Sequence, residues 1–555
     1  MPPQPRAAVQ ALHAYVPPLE GRRQKIRLDF NENTVGFADH FPEVEPTHLL
    51  AYPEYADLIT RLAQLLKLPE NRLLITNGSD EGLFVAAFTF LENGDQALVN
   101  SPTFALIPHY LRLCGANLKE IPVQDNLEPD LDEIESWLPN TKMAMFASPD
   151  NPTGGTLPLA RLKQWLHQFP DTAFVLDEAY FEYHGQTALP WLENDPPLNL
   201  IISRTFSKAW GLAGLRLGLL AAHEQTIEWM KRVRSPYSVN AVAAKSLLRF
   251  LPHAHKVQEQ AEAAMQRKAH TLQQLSQRGW QTHPGAANFF LLWAGPFAKL
   301  LSHYLAEHGI LTRDRSSLYK MGGSIRISVG SAEENQKLLQ TIDEFQQTHA
   351  LLFDLDDTLV DTSRSYDAAV EQLTGCTHQE LQDLRAEGGF NDDWTAAHEL
   401  LKRNNRPQPL EQVIASGKAI YAQLAPTQET PYFQEEWLQS WRQRHRTFIF
   451  TGRPRDEYES IWGERLKPHF DDVLCLGEHG LPGKPAPDGL HHLMQKHSLK
   501  GGIYVGNSVD DMRAAKAAGL LAVGVTTNQS AETLKQAGAD LTLPDLRAFH
   551  YLLSR

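Results

Sequence analysis

The apolar run Leu200-Ile201-Ile202 passes almost directly into Thr205-Phe206-Ser207-Lys208-Ala209-Trp210-Gly211-Leu212-Ala213-Gly214-Leu215-Arg216, and this stretch constrains the chain more than any other. It calls for a strand that delivers one lysine to its end, among small residues and hydroxyls, with an arginine further on. A lysine that forms a Schiff base needs a short tether, dry surroundings and nearby positive charge to lower its pKa. The hydroxyls of Thr205 and Ser207 and the guanidinium of Arg216 suit a phosphate, since arginine binds oxyanions bidentately. Together they read as an anchor for pyridoxal phosphate (PLP). The bland alternative is a glycine-loosened loop carrying an exposed lysine.

Other apolar runs end in the same way. Residues 1 to about 25 read as an arm, after which Ile26-Arg27-Leu28-Asp29-Phe30 alternates like a strand and runs into Asn31-Glu32-Asn33. Tyr52-Pro53 precedes a helical pattern of Leu58, Ile59, Leu62, Leu65 and Leu66. Leu73-Leu74-Ile75 ends in Asn77-Gly78-Ser79-Asp80-Glu81-Gly82, a glycine turn that would open a helix with free backbone N–H groups, a ready anion site. Leu98-Val99 leads to Pro102-Thr103-Phe104, whose aromatic ring either stacks on a flat heterocycle or fills the core. Met143-Ala144-Met145-Phe146-Ala147 ends in Ser148-Pro149-Asp150-Asn151-Pro152-Thr153-Gly154, and Phe174-Val175-Leu176 ends in Asp177-Glu178-Ala179-Tyr180. Each cluster alone reads equally as a turn or a cap. Strands alternating with helices, with polar groups at the strand ends, predict an open α/β sheet whose ligand lies beyond the carboxyl edge. PLP requires a carboxylate for its pyridine nitrogen, donors for its phenolic oxygen, a stacking ring, a phosphate cup and a lysine. Each is met at the end of a different run, in chain order.

At 555 residues the chain has room for two or more domains. A net charge of −14 argues against general nucleic-acid binding, and no apolar stretch approaches the length of a membrane span. Cys114, Cys376 and Cys475 are far apart and in no metal-binding spacing, and the N-terminus lacks a signal-peptide core, so a reducing cytoplasm is expected.

With these segments, residues 1 to about 347 resemble the fold-type I aminotransferases, most of all the histidinol-phosphate aminotransferase branch. Arg313-Asp314-Arg315 and Arg326-Ile327-Ser328-Val329-Gly330 complete the pattern. The resemblance implies that Lys208 holds PLP and moves the proton between Cα and C4′. It implies that Asp177 keeps the pyridine nitrogen protonated, that Asn151 and Tyr180 bond the phenolic oxygen and that Phe104 stacks on the ring. Ser79, Asp80, Thr205, Ser207 and Arg216 would surround the phosphate, joined by Tyr52 from a second subunit, hence a homodimer. Arg326 would bind the substrate's anionic group, with Arg313 assisting. Thr34-Val35 before Gly36, and Phe104 in place of the usual Tyr, depart from the branch.

From about residue 348 the pattern changes. His349-Ala350-Leu351-Leu352-Phe353 ends in Asp354-Leu355-Asp356-Asp357-Thr358, and no Gly/Ser linker precedes it, so motion between the halves should be restricted. Asp354 and Asp356 alternate onto one face, where two carboxylates need a cation or a shared proton. Three later strand ends carry Thr451-Gly452-Arg453, Gly483-Lys484-Pro485 and Gly506-Asn507-Ser508-Val509-Asp510-Asp511. This half, 348–555, resembles the haloacid dehalogenase hydrolases, phosphoglycolate-phosphatase-like group. That implies a Rossmann-like core with a helical cap over about 361–440. It also implies Asp354 as nucleophile, Asp356 as acid, Thr451 and Lys484 on the phosphoryl oxygens, and Mg²⁺ held by Asp354, Asp356, Asn507 and Asp511. The pattern usually has Gly-Asp where Gly506-Asn507 stands. Gly388-Gly389-Phe390-Asn391-Asp392-Asp393-Trp394, within the cap, either touches substrate or is only an interhelix turn.

The expectation is therefore a bifunctional α/β enzyme acting on small amino acids, keto acids and phosphate esters. The competing expectations are a PLP enzyme with a non-catalytic hydrolase module, and a threonine-phosphate-decarboxylase-like enzyme.

Overall fold

A computed structural model describes residues 5–14, 17, 18, 20–36, 47–390 and 392–554. The arm expected over 1 to about 25 lies partly outside them, and so does Asn391. The chain divides into two compact units, one of Met1–Ser276, Thr282–Trp293 and Ala298–Leu339, the other of Gln277–Gln281, Ala294–Phe297 and Gln340–Arg555.

In the first unit seven strands form one sheet: β1 (Leu73–Thr76), β2 (Gln96–Ser101), β3 (Asn117–Pro122), β4 (Met143–Ala147), β5 (Ala173–Asp177), β6 (Leu200–Thr205) and β7 (Gly218–Ala222). Their order is β1-β7-β6-β5-β4-β2-β3, parallel except for β7, which runs against both neighbours. Strands β4 to β7 are buried at every position, which is why they read as unbroken apolar runs rather than alternating ones. Helix α1 (Gly78–Phe90) follows β1 and packs on β6 and β7. A second sheet pairs β8 (Phe289–Trp293) antiparallel with β10 (Ser324–Ser328), and β9 (Arg313–Asp314) with β10. This register places Arg313 directly opposite Arg326.

The strand expected over 26–30 stops at Arg27, where Ile26–Arg27 pairs with Ile310–Leu311. The polar groups that follow are taken by other partners. Arg22 grips the Asp29 carboxylate, Arg326 donates to the Asp29 carbonyl, Lys208 donates to the Phe30 carbonyl, and Asn31 turns left-handed at φ +55°.

A single helix, α2 (Ala332–Thr348), runs into β11 (His349–Phe353) with no intervening loop. In the second unit β11 joins β12 (Arg446–Phe450), β13 (Asp472–Leu474), β14 (Gly501–Gly506), β15 (Leu521–Val525) and β16 (Leu541–Leu543) in the order β13-β12-β11-β14-β15-β16, all parallel. Between the short paired strands Val360–Asp361 and Thr430–Pro431 lie the helices α3 (Ala368–Thr374), α4 (His378–Ala386), α5 (Asp393–Arg403) and α6 (Leu410–Gln428). They bury a core of their own, including Leu381, Trp394, Leu401 and Tyr421. Helix α7 (Val509–Ala517) follows β14. No helix among the described residues is long and apolar enough to cross a membrane.

Gly218 sits where β7 meets the start of α1. A Cβ there would lie 2.5 Å from both the Gly78 carbonyl carbon and the Ser79 nitrogen, atoms of backbone that cannot rotate away. Gly218→Ala is therefore expected to cost about 1–3 kcal/mol, read as a lower midpoint in chemical denaturation. A midpoint equal to wild type would show that the helix start yields freely.

Candidate active sites

The carboxyl ends of the first unit's strands deliver the side chains singled out above. Lys208 Nζ donates to the Phe30 carbonyl at 2.9 Å and lies 5.7 Å from the centre of the Tyr180 ring. Thr205 Oγ1 donates to Ser207 Oγ at 2.9 Å, and Arg216 donates to the same Ser207 oxygen at 3.3 Å and to Asp80 at 2.8 Å. These four residues gather at the start of α1, where Ser79 is buried. The Arg216 guanidinium lies so close to Gly78 that a Cβ there would meet it at 2.7 Å. Tyr180 OH accepts from Asn31 at 2.9 Å. Asp177, at the end of β5, is buried, and one of its oxygens has no hydrogen-bond partner among the described residues. Burial pushes its pKa up to about 7 despite the pull of Lys208. Asp150, held by Thr103 Oγ1 at 2.7 Å, is pushed up to about 8 by the same cause.

A cavity of about 240 Å³ brings together Phe104, Asn151, Lys208, Arg313, Arg315 and Arg326. Arg326 is buried on strand β10 and donates to the Asn151 side-chain oxygen and the Asp29 carbonyl. Burial, and then Arg315, lower its pKa to about 9. Arg313 lies over the Phe30 ring at 4.5 Å, with Arg22 against the same ring at 4.1 Å. Arg315 was not singled out from the sequence as a site residue. The two-residue spacing from Arg313 was the available signal, but only the packing brings it to the cavity. Tyr52 stands apart: it is 76% exposed and stacks on Tyr237.

In the second unit Lys484 Nζ bridges Asp354 and Asp511, at 2.6 Å from each, and also meets Tyr504 OH at 3.1 Å. Burial lowers the Lys484 pKa, but the two carboxylates more than offset this and leave it raised. Burial also raises Asp354 well above the usual carboxylate range. Thr358 Oγ1 lies 3.4 Å from Asp354 and 3.3 Å from the Asn507 side-chain oxygen, so these two oxygens flank one point. Thr451 donates to Asp356 at 3.3 Å. Arg453, fully buried, donates to Asp356 and pairs with Glu429 at 3.1 Å. The sequence reading quoted Arg453 but gave it no role.

The expected metal set is only partly gathered. Asp511 has one oxygen on Lys484, while the other accepts from Ser508 Oγ and the Asn507 and Ser508 backbone N–H groups. Asp511 thus caps the start of α7 through Ser508 and meets Asp354 at Lys484 Nζ. Among the described residues no group of three or more His, Cys, Asp or Glu side chains is arranged to hold a metal.

Residues 25–342 match the family description "Aminotransferase class I and II". The chain belongs to this family. Residues 348–519 match "haloacid dehalogenase-like hydrolase", so the aminotransferase carries a hydrolase domain fused behind it. Histidinol-phosphate aminotransferase 1 of Idiomarina loihiensis is 31% identical over 333 residues, covering 58% of this chain and 90% of its own length. Histidinol-phosphate aminotransferase from Sinorhizobium meliloti, solved in complex with pyridoxal-5′-phosphate, aligns at 25% identity and TM-score 0.54, covering 61% of this chain and 96% of that one. L-threonine-O-3-phosphate decarboxylase from Porphyromonas gingivalis aligns at 25% identity and TM-score 0.50, covering 58% and 99%.

The class I and II aminotransferases work with PLP, and the residues present fit that group. The unsatisfied Asp177 oxygen suits a protonated ring nitrogen. The hydroxyls and guanidinium at the start of α1 suit its phosphate. Asp177 also sets a pH dependence. The unfolded carboxyl titrates near 3.9 and the folded one near 7. The folded state thus favours the protonated group, a stabilisation present in full below about pH 4 and lost as pH rises through about 7. In the cofactor-free aminotransferase, wild type should lose roughly 1–4 kcal/mol relative to Asp177→Asn across that window. The check is urea unfolding of both proteins at several pH values, and parallel curves would refute it.

Proposed function

We propose that the chain is a bifunctional enzyme of the cytoplasm in which a histidinol-phosphate-type aminotransferase and an Mg²⁺-dependent phosphatase act on consecutive forms of one metabolite. The observation that carries the reading is the arginine-lined cavity at Lys208, fused in one chain to a phosphate-ester hydrolase fold. In the first half-reaction glutamate gives up its amino group and leaves as 2-oxoglutarate. In the second, imidazole-acetol phosphate takes that group and becomes histidinol phosphate. The hydrolase then releases phosphate and histidinol.

PLP, when bound, supplies an electron-withdrawing ring beside the substrate Cα. Lys208 Nζ would tether the cofactor and move the proton at Cα. The Asp177 carboxylate would hold a proton on the ring nitrogen. Asn151 and Tyr180 would orient the phenolic oxygen, and Phe104 would cover the ring and exclude water. Ser79, Asp80, Thr205, Ser207 and Arg216 would hold the phosphate. Tyr52, exposed in its own subunit, would reach the phosphate site of a partner, making the enzyme a homodimer. Arg326 and Arg313 would bind glutamate's carboxylate in one half-reaction and the phosphate ester in the other, since a guanidinium accepts either oxyanion.

In the hydrolase, Asp354 would attack phosphorus as the bond to the alcohol breaks and the leaving alkoxide takes a proton from Asp356; water, giving its proton to Asp356, would then release phosphate from Asp354. Thr451 and Lys484 would hold the phosphoryl oxygens. Asp354, Asn507 and Asp511 would hold Mg²⁺ with the Asp356 carbonyl.

Supplied with glutamate and the keto-phosphate, wild type should produce both 2-oxoglutarate and free phosphate. Lys208→Ala should abolish both. Asp354→Asn should stop phosphate release and let the aminated ester accumulate. Faster hydrolysis of the keto-phosphate than of the aminated ester would reverse the proposed order. Carbon dioxide release from threonine phosphate without 2-oxoglutarate would favour the decarboxylase reading instead.

Asn507 gives Mg²⁺ an oxygen without a charge, so Asn507→Asp should lower the Mg²⁺ concentration for half-maximal phosphatase activity. A titration midpoint that does not move would remove Asn507 from the proposed ligand set.

A further inference from the structure

The hydrolase cavity has a wall whose sign is unusual for a site that must admit a phosphate ester. Besides the reacting pair Asp354 and Asp356, it is lined by five carboxylates: Asp357, Asp392, Asp393, Glu457 and Asp510. The cations on the wall are Arg385 and Arg453. Both are already matched: Arg385 pairs with Asp367 at 2.8 Å and with Asp393, and Arg453 pairs with Asp356 and Glu429. Neither guanidinium remains free to neutralise a second anionic group.

The carboxylates differ in what they are already doing. Asp357 accepts from Thr362 through both backbone and hydroxyl, and from Asn528. Asp510 accepts from the Gly389 backbone at 3.0 Å. Asp392 uses one oxygen to cap α5 through the Thr395 N–H at 2.7 Å. Its other oxygen has no hydrogen bond among the described residues. Gln382, on α4, donates to Asp367 at 3.1 Å, which fixes the orientation of its amide. Its buried Oε1 is then left without a donor on the same wall. The cap side of the cavity therefore presents two acceptor oxygens that lack donors among the described residues.

Mg²⁺, Thr451 and Lys484 would meet the phosphoryl end of any ester, but an uncharged alcohol brings no donor to the Asp392 and Gln382 oxygens. An ester whose alcohol carries an ammonium brings three N–H donors and one positive charge to that wall. We infer that the hydrolase cavity selects phosphate monoesters bearing a protonated primary amine, with Asp392 and Gln382 of the cap reading the ammonium. The inference rests on the phosphatase reading above and adds its substrate class. It also gives the two reactions their order, because the keto-phosphate has no ammonium to offer. Phe390, Asp392, Asp393 and Trp394, which line the cavity, thereby become substrate-facing.

The test compares the full-length protein, with Mg²⁺, on histidinol phosphate and on its deamino analogue, 3-(imidazol-4-yl)propyl phosphate. Wild type should favour the amine by about tenfold to a hundredfold in kcat/KM, the scale of a hydrogen bond to a charged group. The preference should fade as pH rises past the pKa of the substrate amine. Asp392→Asn retains the helix cap, since asparagine caps as well as aspartate. It should raise KM for the amino ester and narrow its advantage over the deamino ester, with an unchanged urea-unfolding midpoint showing that the fold is intact. Equal turnover of the two esters by wild type overturns the inference and leaves the phosphatase reading intact. An undiminished preference in Asp392→Asn, or one that persists above the amine pKa, also overturns it. Hydrolysis of neither ester by wild type overturns the phosphatase reading itself, and the inference with it.

Discussion

Among the described residues no carboxylate is bonded to the buried Arg326 guanidinium, and much of the aminotransferase site is arranged around that fact. Two of its nitrogens donate to neutral oxygens, the Asn151 side chain and the Asp29 carbonyl, while its buried Nε has no partner among the described residues. Those two bonds pin the segments that follow β4 and the short strand Ile26–Arg27, whose ends form opposite sides of the Lys208 cavity. Arg313 faces Arg326 across the register of β9 and β10, and Arg315 lowers its pKa further. Like charges held this close in a poorly solvated place leave an energetic deficit that an anionic ligand can relieve. The same logic applies to Asp177, whose buried oxygen lacks a donor until a protonated ring nitrogen arrives.

The hydrolase solves the opposite problem. Its carboxylates outnumber its cations, and Lys484 and Arg453 each hold two of them. Removing either cation would strand buried negative charge, which costs far more than the pair contributes. The Arg453 side chain also ties the site to the base of the cap, because Glu429 accepts from Trp462 and Ser365 as well. One residue therefore fixes the orientation of Asp356 and joins it to the segments through which the chain enters and leaves the cap.

These two arrangements have complementary chemistry. A cavity rich in guanidinium suits oxyanions, and a cavity rich in carboxylate suits an ester that has acquired an ammonium. Amination is the reaction that converts a ligand of the first kind into one of the second. The proposed order of the two reactions would match each form of the metabolite to the cavity of opposite charge.

The sequence determined the local structure because its causes are local. Fully buried parallel strands leave unbroken apolar runs, so β4 to β6 and β11 were legible, as were the polar groups at their ends. The fused pair of folds was legible from motif order for the same reason. Where tertiary partners compete with the strand ladder the reading failed: Leu28-Asp29-Phe30 alternates like a strand, yet Arg22, Arg326 and Lys208 take its polar groups. The Ser508 cap on Asp511 is readable from their three-residue spacing, whereas the Lys484 bond to Asp511 is set only by the fold. The recruitment of Arg315, the double grip of Arg453 and the sign of the cap cavity were decided only in three dimensions. Asp357, Asp392 and Asp510 come from separate parts of the chain, and a net field depends on distances that no single segment encodes.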